Sequence, residues 1–148
     1  MFDSIVVGTD GSDTAIDAVR QAVELAARLG ARLHIVSAYE PVPEARLREE
    51  ARQPPVDLQW MINPREGVDA TLRSAADTAR DGGVEAVTYG RQGDPADAIL
   101  DVAEEQGADL IVVGNKGMTG ARRFLLGSVP NRVSHHAPCS VLIIRTAP

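Results

Sequence analysis

Five short apolar runs, each separated from the next by enough residues for a helix, restrict the fold of this chain more than any other feature of its sequence. Short apolar runs bounded by turn residues are typical of buried strands. Two of them, Leu110–Val113 and Val141–Ile144, show no alternation of apolar and polar positions. That pattern is typical of strands covered on both faces of a sheet. The predicted strands cover residues 4–9, 33–39, 84–89, 110–113 and 140–145.

Helical periodicity fills the intervals between these runs. Ser12 is suited to cap the first helix, and Gly30 is suited to end it. Strands that alternate with helices in this way predict right-handed βαβ units and a parallel sheet. The expected fold class is therefore α/β: a single domain over residues 1–148, with an open, Rossmann-like five-stranded parallel sheet and helices on both faces. The other predicted helices cover about 66–80, a segment after Gly93-Asp94-Pro95, and about 129–136.

Composition restricts the class of protein. An apolar fraction of 44% predicts a globular core, and a single cysteine excludes an intramolecular disulfide and favours a reducing compartment. The chain opens directly into a strand and contains no apolar run of about 20 residues, so the sequence predicts a cytoplasmic protein without a membrane anchor. A formal net charge of −6 disfavours general nucleic-acid binding, which needs a basic surface.

A glycine pattern follows the fourth apolar run directly. Gly114, Gly117 and Gly127-Ser128 form the spacing G-x2-G-x9-G-S. Glycine after a buried strand lets a ligand approach the backbone closely, and it tolerates a positive φ. Ser128 is predicted to cap the helix that follows, whose free N–H groups would suit an anion. The pattern therefore predicts a phosphate-binding loop.

Acidic and basic residues are distributed unevenly along the chain. All 21 Asp and Glu residues lie at or before Asp109, and none lies from Leu110 to Pro148. A local positive field of this kind favours a small anionic ligand, and chance combined with a solvated helix face is the alternative explanation. The basic residues of the final stretch are Lys116, Arg122, Arg123, Arg132 and Arg145.

The chain resembles the universal stress protein family, in particular its ATP-binding branch. The resemblance rests on four segments: Ile5–Ser12, Ala108–Gly117, Leu125–Val129 and Ala137–Ile144. It covers nearly the whole chain apart from about residues 41–64. It implies the strand order 3-2-1-4-5, which the sequence alone does not give. In that order the carboxyl ends of the first and fourth strands lie side by side, where open α/β sheets bind ligands.

The resemblance also implies an adenine-nucleotide site at this point of the sheet. Asp10 with Thr9 would contact the adenosine, and the backbone near Ala38 would contact the adenine edge. The glycine loop would line the ribose and the phosphates, and the start of the last helix would bind phosphate oxygens. The implied binding residues are Gly8, Thr9, Asp10, Ala38, Val113, Gly114, Asn115, Lys116, Gly117, Gly127, Ser128 and Val129.

One position departs from the family pattern. The ATP-binding signature commonly has a hydroxyl residue after the Gly-Ser-Val step, where this chain has Pro130. Proline has neither a hydroxyl nor an N–H group, so one phosphate contact is lost. ATP, with or without Mg²⁺, remains the implied ligand, and cyclic AMP or AMP is the alternative. The expected role is regulatory, with nucleotide occupancy changing partner contacts in a stress response.

Two other functions stay open. A slow ATPase on the same site would depend on Mg²⁺ and on Lys116 or Asp10; the P-loop pattern G-x-x-x-x-G-K-[ST] is absent, and the expectation is that the protein is not an enzyme. A protein-interaction module with an empty glycine loop is the other alternative. The segment Asp10-Gly11-Ser12 is also an ordinary turn and capping sequence.

The histidines and the cysteine are predicted to be structural. His135 and His136 are neighbours on a helix, so their side chains diverge, and no further metal ligand stands at suitable spacing. His34 lies within a predicted strand. No base is placed to activate Cys139, which is expected to pack as a small apolar residue. The sequence therefore predicts neither a metal site nor a catalytic residue.

Two segments of the chain are not assigned to the implied nucleotide site. Residues 41–64 contain five prolines and are predicted to form a variable loop, which a lid or a partner surface would also explain. The final strand, residues 140–145, is apolar and is expected at a sheet edge, where it needs to be covered. The resemblance implies that two copies pair along it as a homodimer.

Overall fold

The computed structural model describes residues 1–39, 64–115 and 127–145. Strands and helices alternate through these residues, as the sequence predicts. The strands are β1 (Ser4–Gly8), β2 (Arg32–Tyr39), β3 (Ala86–Gln92), β4 (Leu110–Gly114) and β5 (Ser140–Ile144). The helices are α1 (Asp13–Leu29), α2 (Pro64–Asp81), α3 (Pro95–Glu105) and α4 (Ser128–His136).

All five strands run parallel in one sheet with the order β3-β2-β1-β4-β5. This confirms the α/β class and the strand order that the family resemblance implies. Because the chain moves outward in one direction from β1 to β3 and in the other from β4 to β5, the order reverses between β1 and β4. Val7 of β1 pairs with Val112 of β4, so the two strands end at the same height. This is the point at which an open parallel sheet leaves a crevice.

The inner strands send alternate side chains into two separate cores, because successive residues of a strand point to opposite faces. Ile5 and Val7 belong to the core beneath α1 and α2. Val6 and Val36 belong to the core beneath α3 and α4. Both faces of the sheet are therefore covered by helices, as expected for a parallel sheet.

Helix starts follow from capping residues. Ser12 caps α1, with its Oγ accepting a hydrogen bond from the Ala15 N–H at 3.3 Å, and Gly30 ends the helix at φ 64°. Asp94 caps α3 by accepting a hydrogen bond from the Asp97 N–H at 3.1 Å. Pro95 takes the first helical position, where the N–H group that proline lacks would have no intrahelical partner. The roles of Ser12 and Gly30 agree with the sequence prediction, and the cap by Asp94 is an addition to it.

Strand β3 begins at Ala86, two residues later than predicted, and continues to Gln92. The apolar residue Val84 is buried, but its N–H donates to the Ala79 carbonyl at 2.9 Å. The end of α2 therefore holds Val84, and the chain reaches the sheet only afterwards. Helix α2 itself begins at Pro64, two residues before the predicted start.

Among the described strands, β5 lies at the edge of the sheet and pairs with β4. Its apolar run predicts coverage on both faces, and within the single chain this is wrong: Leu142 is 38% exposed and Ile143 is 36% exposed. The strand ends at Ile144, one residue before the predicted end. An apolar edge strand that is only half covered is a surface suited to pairing.

The predicted variable loop over residues 41–64 lies outside the described residues, except for Pro64, which begins α2. Among the helices that the structure describes, none combines the length and the apolar character needed to cross a membrane.

Candidate functional site

The crevice between β1 and β4 is formed by the residues that follow the two strands. Gly8 ends β1 and Gly114 ends β4. The Thr9 N–H donates to the Val36 carbonyl at 2.9 Å, which extends β1 by one residue along β2. Thr9 and Asp10 thus leave the sheet beside Asn115, so the structure brings these predicted site residues to one edge.

The loop after β1 makes its own hydrogen bonds. Asp10 Oδ1 accepts from the Ser12 N–H at 2.8 Å, and Thr9 Oγ1 accepts from the Gly11 N–H at 3.2 Å. The turn and capping alternative for this segment is therefore present in the structure. Asp10 is nevertheless exposed, so its carboxylate stands open to a ligand as well.

Two glycines at this loop have packing reasons of their own. A Cβ on Gly8 would collide with the side chain of Ile99 on α3. Gly11 has a φ of +82°, and a Cβ there would lie 2.9 Å from Thr71 Oγ1. The close approach that requires Gly8 is thus made by a helix, and this glycine is not by itself a sign of ligand contact.

The loop after β4 is closed at its base. The Asn115 N–H donates to the Ile144 carbonyl of β5 at 2.8 Å, and the Gly127 N–H donates to the Asn115 carbonyl at 3.0 Å. The two ends of the G-x2-G-x9-G-S pattern therefore meet at the crevice. Lys116 and Gly117, both predicted site residues, lie outside the described residues.

Helix α4 begins one residue earlier than the sequence predicts. Its N-cap is Gly127, which makes no side-chain capping bond, and Ser128 is the first helical residue, so the prediction that Ser128 caps the helix is wrong. Gly127 has φ −61° and ψ 167°, extended angles that any residue adopts, so glycine is not required there for a positive φ.

The start of α4 suits an anion. The first intrahelical bond runs from the Asn131 N–H to the Gly127 carbonyl at 3.1 Å, which leaves the N–H groups of Ser128 and Val129 without an intrahelical acceptor. Pro130, at the third position, brings no N–H. The first turn contains no acidic residue, and the positive end of the helix dipole favours negative charge there. These two N–H groups fit the phosphate contacts that the sequence predicts.

Ala38 and Val113 flank the crevice in different ways. Gly8 pairs with Val36, so Ala38 lies two positions further along β2, beyond the end of β1. Val113 is 3% exposed, and its side chain belongs to the core beneath α3 and α4. A ligand could therefore meet only the backbone of Val113, not its side chain.

Sequence reasoning named Arg132 only as one of several basic residues and missed its partners. Arg132 Nη2 lies 2.8 Å from Asp97 Oδ1, and Nη1 lies 3.9 Å from Asp94 Oδ1. This bridge joins α4 to the start of α3. The sequence predicts a helix after Gly93-Asp94-Pro95, but only the fold shows that the start of this helix lies beside α4.

Two titratable residues that the sequence predicts to be structural, His34 and Cys139, are buried and half-buried, respectively. His34 is 4% exposed, and its Nδ1 lies 2.9 Å from the Tyr89 hydroxyl oxygen. Burial, together with the charge of Arg32, lowers the pKa of His34 and favours its neutral form. Burial, followed by the charge of Asp109, raises the pKa of the half-buried Cys139 thiol. Both shifts favour the uncharged form of the side chain.

Within residues 1–39, 64–115 and 127–145, no three His, Cys, Asp or Glu side chains are grouped closely enough to hold a metal ion. His135 and His136 lie exposed in the last turn of α4.

Comparison with known sequences identifies the relatives of this chain. A model of the universal stress protein family matches residues 1–145. A universal stress protein of Mycobacterium tuberculosis is 37% identical over 148 residues, which cover 98% of this chain and 97% of the relative. A universal stress protein of Thermus aquaticus is 38% identical over 148 residues, which cover 98% of this chain and all of the relative (100%).

Solved structures of universal stress proteins also resemble this chain. A universal stress protein crystallised in complex with cAMP is 36% identical, with a TM-score of 0.75 and coverage of 99% of both chains. A universal stress protein from Archaeoglobus fulgidus in complex with dAMP is 28% identical, with a TM-score of 0.68 and coverage of 97% of this chain and 98% of the other.

Proposed function

This chain belongs to the universal stress protein family, and we propose that its crevice between β1 and β4 binds an adenine nucleotide that regulates the protein's contacts with partners. The phosphates would lie at the start of α4, on the N–H groups of Ser128 and Val129. The adenosine would lie toward Asp10 and the end of β2.

The observation that carries this proposal is the closed base of the glycine loop. The hydrogen bond from Gly127 to the Asn115 carbonyl, at 3.0 Å, brings the uncapped start of α4 to the end of β4. A helix start without a side-chain cap and without an acidic first turn retains its attraction for an anion. Its position at the reversal of strand order is where such folds bind nucleotides.

Two structural relatives support the choice of adenine as the base. The relative at 36% identity was crystallised in complex with cAMP, and the structure of the Archaeoglobus fulgidus relative is a complex with dAMP. Both ligands carry an adenine base and a single phosphate. Carried over to this chain, they favour an adenine nucleotide over a guanine nucleotide.

ATP is the first candidate because the G-x2-G-x9-G-S pattern is complete. AMP or cyclic AMP is the second candidate, and Pro130 favours it. Pro130 is buried at the third position of α4, so the first turn offers two N–H groups instead of three. A polyphosphate loses one contact at this point, and a single phosphate is satisfied by the two that remain.

We further propose that two copies pair along β5 as a homodimer. Leu142 and Ile143 are each more than a third exposed on this edge strand, although both are large and apolar. Pairing would cover them and would satisfy the free edge of the sheet. Sedimentation at micromolar concentration tests this: a dimer is expected, and a strictly monomeric species would contradict it.

A thermal-shift series tests nucleotide binding. The protein, freed of co-purified ligand, is heated with ATP, ADP, AMP, cyclic AMP or GTP. A ligand present at a hundred times its Kd adds about 2.7 kcal/mol of stability, and we expect this shift with adenine nucleotides and not with GTP. No shift with any nucleotide would contradict the proposal and would favour the interaction-module alternative.

Paired glycine variants locate the site. Gly127→Val keeps backbone angles that valine adopts and places a side chain at the proposed phosphate position. We expect it to abolish the nucleotide shift. Gly67→Val on α2 is the matched control, since a Cβ there meets nothing within 4 Å, and it should leave the shift unchanged. The slow-ATPase alternative predicts, in addition, Mg²⁺-dependent turnover that Asp10→Asn or Lys116→Ala abolishes.

A further inference from the structure

Arg132 connects the helix proposed to bind phosphate with the start of α3. Its guanidinium lies 2.8 Å from Asp97 Oδ1 and 3.9 Å from Asp94 Oδ1. The three side chains are 50%, 51% and 43% exposed, respectively. Ion pairs this exposed contribute little to folding. Stability is therefore a weak explanation for a basic residue held between two acids at this place.

The bridge lies beside the proposed phosphate position. Arg132 follows Ser128 by four residues, so the two share one side of α4, a single turn apart. Asp94 follows β3 at the same edge of the sheet as the crevice, and the Gly93 N–H fixes this turn by donating to the Tyr39 carbonyl at 2.8 Å. Arg132 thus holds two carboxylates, those of Asp94 and Asp97 at the start of α3, beside α4 about one turn from the proposed phosphate position.

We propose that Arg132 determines the preference of this site among adenine nucleotides by neutralising Asp94 and Asp97. This inference rests on the proposed nucleotide site. Without the guanidinium, the two carboxylates would repel the ligand phosphates, and the repulsion would grow with the number of phosphate charges. With it, a triphosphate is tolerated beside α3. Arg132 acts through these carboxylates and need not touch the nucleotide.

A purely structural role for Arg132 predicts a different result. If the bridge only held α4 against α3, its loss would weaken AMP and ATP binding by the same factor. That factor would be the same at low and at high salt. Removing a carboxylate as well would not repair the broken bridge. The charge role predicts instead a loss that depends on ligand charge, on salt, and on whether Asp97 is still negative.

The test is calorimetric titration of AMP and ATP into the wild-type protein, Arg132→Ala, and the double variant Arg132→Ala/Asp97→Asn. At about 0.1 M salt we expect Arg132→Ala to weaken ATP binding about tenfold and AMP binding about threefold or less. The double variant should recover most of the ATP affinity. At about 1 M salt, where the screening length is about 3 Å, the two nucleotides should lose affinity by similar factors.

Two further variants serve as controls. Arg28→Ala removes the same charge from an exposed pair with Glu24 on α1, across the sheet from α4, and should change neither affinity. Asp97→Asn alone removes one negative charge and should strengthen ATP binding about threefold while hardly changing AMP binding. This single variant tests the inference even if Arg132→Ala does not fold.

The outcomes separate the two proposals. If the wild-type protein binds neither nucleotide, the proposed function fails, and this inference fails with it. If the wild-type protein binds both, an equal loss for AMP and ATP, or no loss, in Arg132→Ala overturns the role of Arg132 alone. A failure of Asp97→Asn to favour ATP overturns it as well.

Discussion

The two helices that begin at the crevice differ in how their first turns are satisfied. Helix α1 has a side-chain cap from Ser12 and an acidic residue, Asp13, in its first turn. Helix α4 has neither, although its start also reads Gly-Ser. The same two residues thus begin one helix that has a side-chain cap and an acidic first turn, and another that has neither.

The difference lies in which residue takes the N-cap position. At α1 the serine is the N-cap and its hydroxyl is used by the helix, whereas at α4 the glycine is the N-cap and the serine lies inside the first turn. A side-chain cap takes one N–H group of a helix start, and an acidic residue in the first turn repels an anion, so both features lower its attraction for a phosphate. We therefore assign the phosphates to α4 and not to α1.

The largest expected effect comes from giving α4 the cap that α1 already has. Gly127→Asp places an acceptor and a negative charge at the N-cap, in backbone angles that Asp adopts. We expect nucleotide affinity to fall by more than about a hundredfold, while the ligand-free protein gains about 0.5 kcal/mol of stability. Titration and denaturant unfolding measure the two quantities. Retained nucleotide affinity would contradict the assignment of the phosphates to the start of α4.

A smaller effect is expected when α1 loses its cap. Ser12→Ala removes the acceptor of the Ala15 N–H and should cost about 1 kcal/mol of unfolding free energy. Nucleotide affinity should stay within about twofold, since the phosphates do not lie on α1. Urea unfolding and calorimetry check the pair of values. If this variant lost nucleotide binding and kept its stability, the roles of the helices would be reversed.

The smallest effect concerns acid sensitivity, which arises in the sheet and not at either helix start. His34 has a pKa lowered below 6.5 in the fold, first by burial and then by Arg32. The pKa of histidine in the unfolded chain is about 6.5. Between this value and the lower folded pKa, the unfolded chain binds a proton at His34 and the folded chain does not. Stability is therefore fully present above about pH 6.5 and is lost as the pH falls through the folded pKa.

Urea midpoints between pH 7.5 and pH 5 measure this slope, and His34→Leu should flatten it. The carboxyl of Asp109 does not interfere, because hydrogen bonds from the backbone N–H groups of Asp3 and Ser4 lower its pKa below 3.8. Its contribution to stability is lost only in more acidic solution. An unchanged slope in the His34 variant would contradict the assignment of the acid sensitivity to this residue.

Much of the fold follows from local patterns in the sequence. Apolar runs and helical spacing locate every described strand and helix to within a few residues, because burial on one or both faces dictates them. The predicted start of β3 is two residues too early because Val84 is buried without belonging to the strand. Its side chain packs in the core, while its backbone N–H bonds to the end of α2. The strand order came from the family resemblance and not from the pattern.

The site was predictable only in part. The glycine pattern located both ends of the β4 loop, but a one-residue shift at Gly127 decides whether Ser128 is a cap or a first-turn residue. Contacts between distant parts of the chain were beyond local reasoning. The bridge from Arg132 to Asp97 and the packing of Ile99 over Gly8 both depend on how helices lie on the sheet.

The central claim is that the open N–H groups of α4 bind the nucleotide phosphates. Amide resonances in ¹H–¹⁵N NMR spectra, recorded during a titration with ATP, test it most directly. The amide protons of Ser128 and Val129 are expected to move strongly to lower field, while that of Ala15, already bound to the Ser12 hydroxyl, stays in place. Unchanged Ser128 and Val129 resonances in a protein saturated with ATP would contradict the account.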